Sequence, residues 1–309
     1  MAPNIVRMSA PTVSVVIPTY NRLALVVEAV ESVLAQSHEG LELIVVDDGS
    51  TDGTMEALQR RFAGDDRVRL LRQPNGGTAS ARNRGVAEAR APWTAFLDSD
   101  DLWDPGYLAS QLALLAASPE VDTVLSDVRY QNQRRAAATL FEDPDFLAPT
   151  SLSAMCRGAW GLPSAMVVRT DIVRELGFSA RYRIIEDTEF LMRFHVRGHV
   201  CRLNPDRLVV WRRPEGEGAD SKTEDRWEML AEMLSLVDGE RGSAEDRHAV
   251  DEYLYQRHRT LARELVDSGQ LRRARPHLLA WWRARPGRVR PLILYLRSLV
   301  AAGPSGPMS

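Results

Sequence analysis

Short apolar runs that stop at polar or acidic turns are the feature that most limits what this chain can fold into. Val13-Ser14-Val15-Val16-Ile17 ends at Pro18-Thr19-Tyr20-Asn21, Leu41 to Val46 ends at Asp47-Asp48-Gly49-Ser50, and Trp93 to Leu97 ends at Asp98-Ser99-Asp100-Asp101. Runs of this length, rich in β-branched residues, read as strands covered on both faces, as in a parallel sheet. Helical patterns lie between them, at about Ala24 to Gln36 and around Met55, Leu58 and Phe62. The unit then repeats with Val68 to Leu71, a glycine-rich loop Gln73 to Thr78 and a helix through Ala89. This alternation predicts an α/β fold with a mostly parallel central sheet flanked by helices. Carboxylates at the ends of successive strands would collect on one rim, where such sheets bind ligands.

Beyond Leu97 the pattern predicts a helix at about Pro105 to Ala117 and a strand at Val121 to Leu125, followed by an irregular excursion over 129–150 that is a candidate flap. A strand at Ala165 to Arg169, a short helix capped by Thr170 or Asp171, and a helix at Asp187 to Arg197 stopped by Gly198 come next. Two strands, Val200 to Leu203 and Leu208 to Trp211, complete the sheet. From about Asp220 to Ala301 the periodicity is helical, with breaks near Gly239-Gly242, Ser268-Gly269 and Pro286-Gly287. The expected organisation is an α/β domain over 1–219 and a helical C-terminal extension over 220–309.

Charge sharpens that division. The formal net charge is -3, but residues 271–309 hold eight arginines and no Asp or Glu, which leaves 1–270 at -3 - 8 = -11. Two readings of the tail follow. Its arginines, with Trp281, Trp282, Leu292, Ile293, Leu294, Tyr295 and Leu296, could rest an amphipathic side on anionic lipid. Alternatively, a helical hairpin packs on 220–270 with its aromatics buried and its arginines solvated or paired with the acidic body. Lys222 is the only lysine, and a guanidinium excess of this kind does not argue for nucleic-acid binding. Cys156 and Cys201 have no metal-ligand spacing and form no disulfide framework. No secretion signal or spanning helix is read, so the expectation is a cytoplasmic chain, peripheral at the inner face of the cell membrane if the first tail reading holds.

Three acidic clusters carry the chemistry. Asp98-Ser99-Asp100 is an Asp-x-Asp motif at a strand end. It can offer one carboxylate to a hydrated divalent cation and turn the other toward a ribose hydroxyl or a metal-bound water, a donor set suited to Mg²⁺ or Mn²⁺. Acidic tripeptides are common in loops, but placement at the end of Trp93 to Leu97 gives this one a rim position. Asp47-Asp48 serves a turn and, as adjacent acids, needs partners such as a uracil or thymine imide N–H and a ribose hydroxyl. Gly76 and Gly77 offer backbone amides at a helix start, with Arg82 one turn inside, an arrangement suited to diphosphate. Glu186-Asp187 opens a helix, where the helix dipole favours acids whatever else they do.

Taken together, Val13 to Arg22, Val45 to Thr54, Asn75-Gly76-Gly77 with Ala81-Arg82-Asn83, Leu97 to Asp101, and Glu186-Asp187 make the chain similar to glycosyltransferase family 2 over about residues 11–213. The resemblance implies a GT-A fold and an inverting, metal-assisted transfer from a nucleotide-diphosphate sugar, UDP- or dTDP-linked, to a glycan or lipid-linked acceptor. It implies a donor site of Pro18, Thr19, Tyr20, Asn21, Asp47, Asp48, Gly76, Gly77, Arg82, Asp98 and Ser99. Within that site Thr19, Tyr20 and Asp48 frame the base and Asp98 the ribose. It also implies Asp100 with Asp98 on the metal, Asp187 as general base and Glu186 supporting it or touching the acceptor.

Family members often carry a histidine shortly after the last strand. Here Val210-Trp211-Arg212-Arg213-Pro214 stands instead, so a third protein ligand is not identified. Arg212 or Arg213 is a candidate phosphate contact or a solvated pair. His195 and His199 read as structural because Gly198 separates them. Trp160 reads as a core aromatic or a sugar-stacking ring. Two other functions are weighed. A nucleotidyltransferase would need a Gly-rich stretch with Arg and Lys after the first strand, which Pro18 to Arg22 does not supply. A silent binding or scaffold protein would not need intact acids in all three clusters.

Overall fold

The computed structural model describes residues 10–131, 139–143, 146–156, 159–181, 185–212, 244–287 and 289–300. The chain divides into two compact units, Met1–Asp220 and Ser221–Ser309.

In the first unit, β1 (Val13–Thr19) and β2 (Leu41–Asp47) are buried at every position, as strands with helices on both faces must be. Between them α1 (Leu23–Leu34) buries Val26, Ala29, Val30 and Val33, the stripe a helix presents at three- and four-residue spacing. Next come α2 (Thr54–Phe62), β3 (Val68–Arg72), α3 (Thr78–Glu88) and β4 (Trp93–Phe96). The remainder is β5 (Leu102–Trp103), α4 (Tyr107–Ala116), β6 (Thr123–Tyr130), α5 (Leu152–Cys156), β7 (Met166–Arg169), α6 (Thr170–Leu176), α7 (Glu186–Val196) and β8 (Cys201–Trp211). The eight strands form one sheet in the order β3-β2-β1-β4-β7-β6-β8-β5. Pairings β1–β2, β2–β3, β1–β4 and β6–β8 are parallel, while β7 runs antiparallel to β4 and β6, and β5 antiparallel to β8.

Strand order places the site. The chain moves outward from β1 through β2 to β3 and returns to β4 on the other side of β1, so the carboxyl ends of β1 and β4 flank a topological switch point. Thr19 lies level with Asp47 and Val16 with Phe96, which brings the loops after all three strands to one rim. Packing behind that rim is close: a Cβ on Gly85 of α3 would come within 2.4 Å of Val16 Cγ1, so only glycine lets α3 lie this near the sheet.

Three sequence expectations change in detail, the first being that the strand expected at Val121 to Leu125 runs on as β6 to Tyr130. The two strands expected at 200–203 and 208–211 are one strand, β8, whose pairing with β6 jumps from Ser126–Asn204 to Val128–Val209. Pro205 and its neighbours are accommodated in that irregularity rather than ending the strand. Helix α6 begins after Arg169 with no side-chain cap, and Asp171 instead accepts from the Ile172 amide and pairs with Arg169. The described parts of the 129–150 excursion fold back on β6: the Leu140 amide donates to the Val128 carbonyl, the Phe141 amide donates to Asp127 Oδ1, and Leu140 is buried in the main core.

The second unit contains helices Ala244–Asp267, Leu271–Ala284 and Val289–Val300. Gly269, at φ 75°, makes the first turn, and the second break spans Arg285, Pro286 and Gly287. The break expected near 239–242 lies outside the described residues. Tyr255, Ala262, Leu265, Ala274, Leu278 and Trp281 form this unit's core, with Val266, Leu294 and Tyr295 packed against it. No helix among the described residues is long and apolar enough to cross a membrane.

Candidate active site

An open cleft of about 370 Å³ lies at the switch point, lined by Pro18, Thr19, Tyr20, Arg22, Asp48, Thr78, Ala81, Arg82, Asp98, Ser99, Asp100 and Glu186. A second hollow of about 290 Å³ shares Tyr20, Asp48 and Thr78 with it and adds Gly76, Gly77 and Ala180. Cavities of this size accommodate small organic ligands.

Asp48 is built into the wall. Its Oδ1 accepts from Gln73 Nε2 at 2.8 Å and the Gly76 amide at 2.9 Å, and its Oδ2 accepts from the Gly77 amide at 2.8 Å. The two amides that the sequence offers to a diphosphate therefore orient Asp48 in this structure. Gly49 makes this possible: its φ is 82° and a Cβ would approach the Asn75 nitrogen to 3.0 Å. Asp47 and Asn21 do not line either hollow. Asp47 is fully buried and accepts from the Ser50 amide at 2.9 Å, while Asn21, at φ 50°, accepts from the Thr51 amide at 2.8 Å. Both hold the turn behind Tyr20, which projects 46% exposed. Thr19 Oγ1 is buried without a hydrogen-bond partner among the described residues.

Opposite Asp48, Arg82 joins two clusters far apart in sequence. Its Nη2 donates to Asp98 Oδ1 at 2.6 Å and its Nη1 to Glu186 Oε1 at 2.9 Å. Burial works against the guanidinium charge, but Asp98 and Glu186 outweigh it and hold Arg82 above its ordinary value. The Phe178 ring lies 5.4 Å from its carbon, a cation–π contact. Asp100 keeps a carboxylate 27% exposed in the cleft, 3.5 Å from Arg22 Nη1.

Asp187 follows Glu186 at the start of α7. It keeps a solvent-reachable edge, but burial first, and then the neighbouring Glu186, push its carboxyl up to about 7 against the pull of Arg82 and Thr188.

Sequence reasoning missed the fasteners. Ser164 Oγ donates to Asp101 Oδ2 at 2.5 Å and accepts from the Asp98 amide at 3.1 Å, and the Ser164 carbonyl accepts from Trp103 Nε1 at 2.7 Å. Arg212 donates its backbone amide to Asp101 Oδ1 at 3.0 Å and its Nε to the Asp100 carbonyl at 2.5 Å, and pairs with Glu28. Burial, then Asp98 and Asp100, raise Asp101 well above the usual carboxylate range. Only Arg212 carried a sequence signal, its position just past the last strand. Arg213 lies outside the described residues. His195 donates from Nε2 to the Pro149 carbonyl and His199 faces Asp122, both structural arrangements. Trp160 is half-buried, edge-on to Phe146 and tilted against Trp211.

The donor set for a metal is partial. Among the described residues no group of three or more His, Cys, Asp or Glu could hold an ion. Asp100 with Asp98 offers hard oxygen donors facing an open cleft, which fits Mg²⁺ or Mn²⁺ bound mostly by ligand oxygens.

A curled, mostly parallel sheet with acidic strand ends around one cleft is the layout of a GT-A glycosyltransferase fold. The fold matches Staphylococcus aureus TarS residues 1–349, solved in complex with UDP-GlcNAc, with a TM-score of 0.70 and 22% identity over 93% of this chain and 87% of that one. In sequence, the profile for glycosyl transferase family 2 matches residues 14–161, and that for glycosyl transferase family group 2 matches 93–303. Glycosyltransferase GlyG of Streptococcus pneumoniae is 30% identical over 219 residues, 66% of this chain and 71% of that protein. Chondroitin synthase of Pasteurella multocida is 41% identical over 95 residues, 31% of this chain and 10% of its own length. Two further relatives are matched over 19% and 42% of their length, so the chain spans well under two thirds of several proteins it resembles. The chain belongs to glycosyltransferase family 2.

Proposed function

We propose that the chain transfers a sugar, with inversion, from a nucleotide-diphosphate donor to a hydroxyl of a glycan or lipid-linked acceptor. The observation that carries this reading is Arg82, which ties the Asp98 loop to the Glu186-Asp187 helix start across one cleft. Glu186 lines that cleft and Asp187 follows it on the same helix start, which supports donor and base chemistry coming from separate elements at one rim.

Tyr20 and Asp48 bind the base, and the remaining lone pair on Asp48 Oδ2 accepts an imide N–H, a preference for UDP- or dTDP-linked sugars. Asp98 takes the ribose. Asp100, with Asp98, holds Mg²⁺ or Mn²⁺, which when bound supplies Lewis-acid neutralisation of the diphosphate. Arg82 adds positive charge where negative charge grows on the leaving oxygen.

Asp187 removes the acceptor hydroxyl proton as that oxygen forms a bond to the anomeric carbon and the bond to the diphosphate oxygen breaks on the opposite face. An acid pushed up to about 7 is a base matched to neutral pH. The name of chondroitin synthase supports a glycan acceptor, and the UDP-GlcNAc held by TarS supports the donor class.

The test is donor hydrolysis and transfer with UDP-GlcNAc and other nucleotide sugars, with and without Mn²⁺. Asp100→Ala should lose Mn²⁺-dependent donor binding and turnover while keeping wild-type circular dichroism. Turnover undiminished in EDTA would remove the metal from the reading, and absence of turnover with every nucleotide sugar in the panel would sink the reading itself.

A further inference from the structure

The last helix, Val289–Val300, turns its apolar side outward. Six large hydrophobic residues are exposed among the described residues, and four of them are Val289 at 60%, Ile293 at 46%, Leu296 at 51% and Leu299 at 44%. At about 100° per residue they share one side of the helix, opposite Pro291 and Ser298, which are buried. Leu294 and Tyr295 fasten the helix to the unit's own core, and Arg275 Nη2 donates to the Ser298 carbonyl from the preceding helix. The stripe is therefore not the face on which this helix packs. Arg290 and Arg297, both exposed, run along one border of it.

We propose that this face lies on an anionic lipid surface, with the four apolar side chains in the boundary between headgroups and acyl chains and the two arginines among the headgroup phosphates. Charge decides the occupant. Residues 271–309 carry eight arginines and no carboxylate, so two such faces packed symmetrically would bring like charges together with no acid from the tail to offset them. An anionic bilayer offers the complementary charge and an apolar layer at the depth a surface-lying helix reaches. The helix is too short to cross, so the contact is peripheral. This inference is independent of the transfer reading, because its test reads binding rather than turnover.

The experiment is co-flotation of the full chain with vesicles of phosphatidylglycerol and phosphatidylcholine, and with phosphatidylcholine alone. Binding is expected to the first set, weakening as salt rises, and not to the second. Ile293→Glu with Leu296→Glu should lower the bound fraction at least about tenfold. Arg290→Glu with Arg297→Glu should lower it by a similar factor and flatten the salt dependence. All four positions are exposed, so thermal unfolding should stay at the wild-type temperature; if the apolar variant unfolds early, the arginine variant carries the test. Three results overturn the proposal: no flotation with phosphatidylglycerol, equal flotation of wild type and both variants, or a wild-type dimer in light scattering that the apolar variant splits without any vesicle effect.

Discussion

The loop at Asp98–Asp101 and the helix start at Glu186-Asp187 are both rich in carboxylates, yet the protein treats them in opposite ways. In the loop, Asp98 is met by Arg82 and Asp101 by Ser164 and the Arg212 amide, so charge concentrated on one turn is held by dedicated donors. At the helix start Glu186 takes the other arm of Arg82, while among the described residues Asp187 receives the amide and hydroxyl of Thr188, its neighbour. Fixed, partnered acids suit binding of a cation or a ribose. Burial makes both Asp101 and Asp187 hold their protons longer, but Asp101 is locked between Ser164 and the Arg212 amide, whereas Asp187 keeps a solvent-reachable edge and suits proton transfer. Residue type is the same in both places, and environment assigns the task.

Arg82 is where the comparison breaks most easily, because it serves both sides. Arg82→Met leaves the buried Glu186 carboxylate facing Asp98 and Asp187 without a counter-charge. Removing one member of a buried ion pair costs about 3 kcal/mol or more. Urea unfolding should register that loss, and donor binding should fall with it. Stability equal to wild type would mean that the two clusters are independently supported.

Asp187→Asn separates the two environments without disturbing the fold. Transfer should fall at least about 10²-fold at saturating acceptor, with donor affinity nearly unchanged. In the wild type, the rate should rise with pH up to about 7, as the carboxyl loses its proton, and then level off. Stability should move the other way. A buried acid whose pKa is raised on folding binds its proton more tightly in the native state, so the unfolded chain releases it first as pH rises. Stability is therefore fully present below the ordinary carboxylate range and declines as pH climbs toward 7. The Asn variant lacks that decline and should be more stable than wild type at pH 8, by on the order of 2 kcal/mol. A variant that loses stability at pH 8 while keeping its transfer rate would show that Asp187 is an ordinary helix-start acid.

How much of this was readable in the sequence depended on how local the signal was. Strands β1 and β2 are buried on both faces, so their composition alone marks them, and the acids closing them mark the rim. Strand β5 is two residues long and has no period to detect, and the antiparallel run of β7 between β4 and β6 is a choice among distant partners. Two strands are expected over 200–203 and 208–211 where one irregular strand exists, because pairing with β6 on either side of Pro205 carries the strand through. In the site, the carboxylates announced themselves as clusters. Arg22 and Arg212 gained their roles only when their strand ends were brought to Asp100. The tail's composition left two readings open: Trp281 is buried in the core, as the packed-hairpin reading expects, and the lipid proposal rests on Ile293 and Leu296 being exposed on the last helix.

Ser164 offers the finest test of the fastened side. It lies 63 residues from Asp101 and is fully buried, and one hydroxyl both donates to the Asp101 carboxyl and accepts from the Asp98 amide. Ser164→Ala removes little volume but takes the acceptor from the half-buried Asp98 amide and one donor from Asp101, leaving it the Arg212 amide among the described residues. A cost of about 1 kcal/mol is expected, since an unmade buried hydrogen bond is worth roughly that much. Loss of the hydroxyl also frees the Asp98–Asp100 turn to shift, so the Mn²⁺ concentration needed for half-maximal donor turnover should rise a few-fold while the pH profile, set at the other cluster, stays in place. A moved pH profile would mean that the two acidic clusters are coupled through more than Arg82. An unchanged metal requirement together with lost stability would confine the Ser164 hydroxyl to bracing the Asp98–Asp101 turn rather than positioning the carboxylates for the metal.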